Sequence, residues 1–177
     1  MSDASTRRDF IKQVGAGAVA AAAMTNDLNA RQSTTPAPAS AKTRVIGAND
    51  RINVGFVGCG GRMNTHIRRI MERAKDSGDV QAVAVNDIWD KRKQRAREAT
   101  GVDERSVHHD YRELCARSDI DVVVIASPDH WHHAQTIEAL RQGKDVYLEK
   151  PMTYTVDEAK EIADAVTASG RVLQVGS

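Results

Sequence analysis

Three observations predict an α/β fold, a Rossmann-type doubly wound parallel sheet in a single domain. An apolar strand, Ile52 to Val57, runs into the glycine-rich turn Gly58-Cys59-Gly60-Gly61-Arg62. Strand and helix patterns then alternate to the last residues, and a late strand, Val146 to Leu148, ends in Glu149-Lys150-Pro151. A strand feeding a glycine turn is how a dinucleotide-binding βαβ unit opens. In open parallel sheets ligands sit outside the carboxyl ends of the strands, so Lys150 is expected to face the reactive ring of a bound cofactor.

Helical periodicity follows the turn from about Met63 to Lys75, with Ile67, Ile70 and Met71 on one face. A strand is predicted over Val80 to Val85, then a charged helix from about Asp90 to Ala99. Asp110-Tyr111-Arg112-Glu113 has the spacing of a capping box and starts a short helix. Ile120 to Ala126 is almost continuously apolar, as a strand covered on both faces must be. A helix from about His132 to Arg141 stops near Gly143, before the strand at Val146. Thr155-Val156-Asp157-Glu158 caps a further helix that ends near Gly170, and Gly170 to Ser177 reads as a final strand.

The first fifty residues read differently. Arg7-Arg8, followed by the weakly apolar Ala/Gly-rich run from Val14 to Met24, has the layout of a twin-arginine export signal. The run is too short to span a bilayer, which takes roughly 20 apolar residues. Residues 1–30 are assigned to this leader, with cleavage after Ala30 or as late as Ala41, and 31–50 to a Ser/Thr/Pro/Ala-rich tether. The domain then occupies 51–177. Export by this route implies a periplasmic or otherwise extracytoplasmic protein that carries its cofactor out already folded. Lys and Arg total 25 against 24 Asp and Glu, and aromatics are 4 % of residues, so neither charge nor stacking argues for nucleic acid. Cys59 and Cys115 are expected to be free thiols.

The chemistry is expected at the strand ends. Gly58 can turn the chain tightly, and Gly60 and Gly61 can let backbone amides approach a pyrophosphate at the helix N-terminus. Arg62 could pair with that phosphate. Met63 holds the third fingerprint position, where Gly or Ala permits close helix–sheet contact, so looser packing is expected. Asp87, ending the second strand, can accept from the adenosine ribose hydroxyls and favours NAD over NADP. Lys91, Arg92 and Arg95 could instead clamp a 2′-phosphate, but read first as a solvated helix face. Ser127 and Pro128 would let a flat cofactor pass the fourth strand, with His132 near its ring as a cofactor or substrate contact. The histidines follow no metal-ligand spacing, so no metal is expected. Lys150 is the candidate catalytic residue: half-buried, it could fix the nicotinamide ribose, bond a substrate hydroxyl or help to move its proton, with Glu149 orienting it or contacting the cofactor.

Together these pieces resemble the N-terminal domain of the glucose–fructose oxidoreductase/inositol dehydrogenase (Gfo/Idh/MocA) family. The resemblance rests on Val57-Gly58-Cys59-Gly60-Gly61-Arg62, Asp87, Ser127-Pro128-Asp129-His130-Trp131-His132, Gly143-Lys144 and Glu149-Lys150-Pro151, and runs from about Arg51 to Ser177. It implies an active-site role for Lys150, a cis Lys150-Pro151 bond, and a larger C-terminal domain supplying substrate contacts and the surface through which copies pair. That domain is not in these 177 residues, which alone are not expected to be fully active.

The leading expectation is therefore the cofactor half of an exported NAD(P)-dependent oxidoreductase acting on a sugar or cyclitol, its nucleotide tightly bound and recycled internally. One alternative is an NAD-dependent glycoside hydrolase of the same superfamily. The other is a nucleotide-binding module without catalysis.

Overall fold

The computed structural model describes residues 51–177, so the leader and tether expected over 1–50 lie outside the described residues. Six parallel strands form one sheet in the order β3-β2-β1-β4-β5-β6. They are β1 (Ile52–Val57), β2 (Val80–Asn86), β3 (Val107–His108), β4 (Val122–Ile125), β5 (Asp145–Leu148) and β6 (Leu173–Val175). Helices α1 (Gly61–Asp76), α2 (Asp90–Thr100), α3 (Tyr111–Cys115), α4 (His132–Arg141) and α5 (Val156–Ser169) connect them. The order reverses between β1 and β4, and the crevice outside their carboxyl ends is where such a sheet receives a ligand.

Strand alternation builds a core on each face. Val54, Phe56, Val85 and Val124 point one way and bury Met63 and Ile67 of α1 and Ala96 of α2. Val57, Ala84, Val123, Ile125, Val146 and Leu148 point the other way, against Leu114 of α3, Leu140 of α4 and Ile162 of α5. Both faces being covered explains why β1, apart from the buried Asn53, and β4 read as apolar runs.

Most element boundaries fall near their expected places, and the differences have local causes. Helix α1 starts at Gly61, two residues before the apolar periodicity shows itself. Strand β4 is shorter than the Ile120–Ala126 run, because Ile120 turns into the core, where its Cδ1 would meet a Cβ on Gly55 at 3.0 Å. The final strand contracts to three residues, Leu173–Val175. The box at Asp110 is only half formed: Asp110 accepts from the Arg112 N–H, while Glu113 faces His108. At Thr155 both halves are present.

Cys59 and Cys115 are free and buried. Burial, then the Asp87 carboxylate, pushes the Cys59 thiol up to about 12. Burial, then Glu138, does the same for Cys115. Both are packing groups rather than nucleophiles.

Candidate active site at the strand ends

Gly58 is the residue the geometry constrains most. Its φ is +82°, and a Cβ built there would lie 2.6 Å from the Ser127 backbone nitrogen and 2.7 Å from its Cα. The turn after β1 and the loop after β4 therefore touch backbone to backbone at the point where the strand order reverses. Gly60 and Gly61 are open by comparison. A Cβ on Gly61 would meet nothing within 4 Å, and one on Gly60 would reach only the Arg92 guanidinium at 3.7 Å.

Helix α1 has Gly60 as its N-cap, no side chain capping it and no acidic residue in its first turn. Its first backbone amides and the positive end of its dipole are thus left for an anion. An uncapped helix N-terminus beyond an open double-glycine turn fits a dinucleotide's pyrophosphate, and that is the test these residues pass. Gly58, Gly60, Gly61 and the backbone of Arg62 would hold it.

Several side chains differ from expectation. Met63 does not line the cleft: it is fully buried against Val54, Phe56, Val85 and Val124. It fills the space between α1 and the sheet, so the looser packing expected of that position is not found. Arg62 is drawn across the cleft instead of standing free for phosphate, its Nε donating to Glu149 Oε1 at 2.6 Å. Arg92 is not part of a merely solvated face. Arg92 lies over the Trp89 ring, 5.2 Å from its centroid, and Arg95 donates to the Cys59 carbonyl at 3.2 Å. Lys91 and Arg95 are exposed, as a solvated face requires, while Arg92 is half-buried.

Asp87 follows β2 and is buried, its Oδ1 accepting from the Trp89 N–H at 2.9 Å. Ser127 donates through its hydroxyl to Gln135 Oε1 at 2.6 Å, and Pro128 is exposed beside it. His132 is 1 % exposed and cannot touch a cofactor through its ring. Lys150 is exposed at the end of β5 rather than half-buried, for no described residue packs over it. The Lys150-Pro151 bond is cis.

Glu149 gathers the partners that sequence reasoning missed. It is 3 % exposed, and its Oε1 also lies 2.7 Å from His66 Nε2, while its Oε2 accepts from the Lys150 N–H at 3.1 Å. His66 meets Tyr147 edge-on at 5.1 Å. His66 stands four residues after Arg62 on α1, a spacing that shares one helix face and could have announced it. Burial alone would raise the Glu149 carboxyl, but Arg62, His66 and the Lys150 amide outweigh it and hold the group below its ordinary value of 4.5. A depressed carboxyl contributes stability above its unfolded pKa and loses it as pH falls through the folded value. Glu149→Gln is therefore expected to melt about 4 °C lower at pH 7, with the gap closing towards pH 3. Thermal melts at the two pH values check this; an unchanged gap would separate Glu149 from the effect.

Lys144 serves the fold. Its buried ammonium donates to the carbonyls of Arg117 and Ile120 at 2.5 and 3.0 Å, tying the end of α3 to β5. Among the described residues no group of three or more His, Cys, Asp or Glu is placed to hold a metal ion.

Comparison with known proteins agrees with this layout. The Gfo/Idh/MocA oxidoreductase family, described by its NAD-binding Rossmann fold, matches residues 52–177. A glycosyl hydrolase family 109 protein of Shewanella baltica is 33 % identical over 171 residues, which is 89 % of this chain and 36 % of that protein. The inositol 2-dehydrogenase of Burkholderia multivorans is 35 % identical over 128 residues, 71 % of this chain and 36 % of that enzyme. The chain thus spans about a third of the length of either relative. The crystal structure of the WlbA dehydrogenase from Bordetella pertussis, in complex with NADH and UDP-GlcNAcA, superposes with a TM-score of 0.65 at 29 % identity, over 72 % of this chain and 35 % of that one. With an uncapped α1 behind a glycine turn at the switch point of a 3-2-1-4-5-6 sheet, and a family match across the whole described domain, the chain belongs to the Gfo/Idh/MocA oxidoreductases as their NAD-binding Rossmann domain.

Proposed function

We propose that this domain serves an exported enzyme that oxidises or reduces a hydroxyl of a sugar or cyclitol. The observation that carries the reading is the position of Lys150, exposed at the end of β5 beside the crevice that the Gly58 turn opens. Bound NAD would supply a hydride acceptor at nicotinamide C4. The Lys150 ammonium would donate a hydrogen bond to the substrate oxygen and stabilise the charge that develops there as a base of the second domain takes its proton. Asp87 would orient the adenosine ribose, favouring NAD, with NADP the alternative. Arg62 and His66 would hold Glu149, and Glu149 the Lys150 backbone. Substrate contacts, and any pairing of copies, would come from a second domain. What supports that is the chain's 36 % share of its relatives' length.

The twin-arginine layout of the first residues supports an enzyme that works outside the cytoplasm, reached through the twin-arginine export machinery. No exchangeable pool of NAD is expected there, so the nucleotide would stay bound and be regenerated within each turnover. A second reading is net glycoside hydrolysis, in which a transient oxidation is reversed before product leaves; the glycosyl hydrolase family 109 relatives favour it.

The first test is calorimetric titration of the 177-residue chain with NAD, where the absence of any binding sinks the proposal. In the whole protein, Lys150→Met should lower kcat by about 10²–10⁴-fold with nucleotide binding intact. Stoichiometric release of free NADH during turnover would overturn the closed cycle.

A further inference from the structure

His132 opens α4, and each of its ring nitrogens faces a backbone carbonyl. Nδ1 lies 2.7 Å from the Pro151 carbonyl oxygen and Nε2 lies 3.0 Å from the Ser127 carbonyl oxygen. Carbonyl oxygens only accept, so the ring nitrogen that carries the proton donates to its carbonyl, while the ring as a whole spans the gap between the two. The two carbonyls belong to different loops. One leaves β4 and presses on Gly58; the other follows Lys150 after β5. In a fold of two mononucleotide-binding halves the ribose at the end of β2 is that of adenosine, so the β4–β5 side takes the nicotinamide half.

We infer that His132 is a positioning residue for the nicotinamide half of the site. It sets the separation of the Ser127 and Lys150-Pro151 loops without touching the ligand. The inference rests on the proposed reading of the cleft. Gln135, one turn along α4, holds the Ser127 hydroxyl from the same side and belongs to the same support. Ordinary core packing would make His132 equally important to every ligand of the domain. A positioning role makes it matter to one half only.

The experiment titrates the 177-residue chain with NAD and, separately, with AMP, which carries only the adenosine half. With His132→Gln, which cannot span both carbonyls, NAD affinity is expected to fall about tenfold, the worth of one buried hydrogen bond, while AMP affinity stays within about twofold. Equal losses for both ligands, or no loss for either, overturn the inference. If circular dichroism shows that His132→Gln does not fold, Gln135→Met carries the test. It frees only the Ser127 hydroxyl and should weaken NAD about threefold and AMP not at all; a loss shared by AMP, or none, again overturns it. Failure of the unsubstituted chain to bind either nucleotide sinks the reading of the cleft and this inference with it. That outcome shows before any substitution is made.

Discussion

Gly58→Ala is expected to abolish nucleotide binding at micromolar concentrations and to destabilise the domain. Two costs add. At φ +82° an alanine is strained by about 1–2 kcal/mol. Its Cβ would also stand 2.6 Å from Ser127 N and 2.7 Å from Ser127 Cα, both backbone atoms of a loop that cannot swing away as a side-chain tip can. The loop after β4 must shift, and with it the close approach that shapes the crevice. A total of about 2–4 kcal/mol follows, on the scale of overpacked core sites, with at least a hundredfold loss of NAD affinity, equivalent to about 2.7 kcal/mol. Gly61→Ala is the control. Nothing lies within 4 Å of its Cβ position and its φ is not positive, so it should change stability by less than about 0.5 kcal/mol. Urea melts and calorimetry on both variants decide the matter. Similar behaviour of the two would show that neither the Gly58–Ser127 contact nor the positive φ makes glycine necessary there.

The contrast between those glycines marks where sequence reasoning reaches its limit. Gly58, Gly60 and Gly61 read alike in the chain, yet only Gly58 is held by a residue 69 positions away, and no local pattern encodes that neighbour. The sheet was legible because burial on both faces writes itself as apolar runs at Ile52–Val57 and Ile120–Ile125. Strand β3 left no such trace, being two residues long. Backbone-borne features of the site, such as the glycine turn and the strand-end positions of Asp87 and Lys150, follow from topology and could be placed. Side-chain roles could not. Arg62 was expected on phosphate and reaches Glu149; Arg92 was expected in water and lies over Trp89; His132 was expected at the ring and is buried against the Ser127 and Pro151 carbonyls. Long or polar side chains choose partners after the helices have docked, and the partners of Arg62 and His132 lie on other elements.

Met63 turns that lesson into a measurable quantity. A sequence-based view of the fingerprint treats its third position as one where a small residue lets helix and strand approach, and would predict that Met63→Gly tightens the domain. The structure argues the reverse. Met63 is fully buried among Val54, Phe56, Cys59, Ile67, Val85 and Val124, so α1 stands at a distance from the sheet that this side chain fills. Met63→Ala should cost about 2–5 kcal/mol, the range for emptying a buried methionine site. Met63→Gly should cost about a further 1 kcal/mol, because glycine in the first turn also loses helix propensity. The nucleotide should still bind both variants at temperatures where they stay folded, since the side chain points away from the crevice and only the backbone borders it. Denaturant melts give the first quantity and titration of folded protein the second. A gain in stability for Met63→Gly would mean that α1 can close on the sheet once released, making the methionine a spacer that holds the helix N-terminus, and therefore the anion site, at its present height.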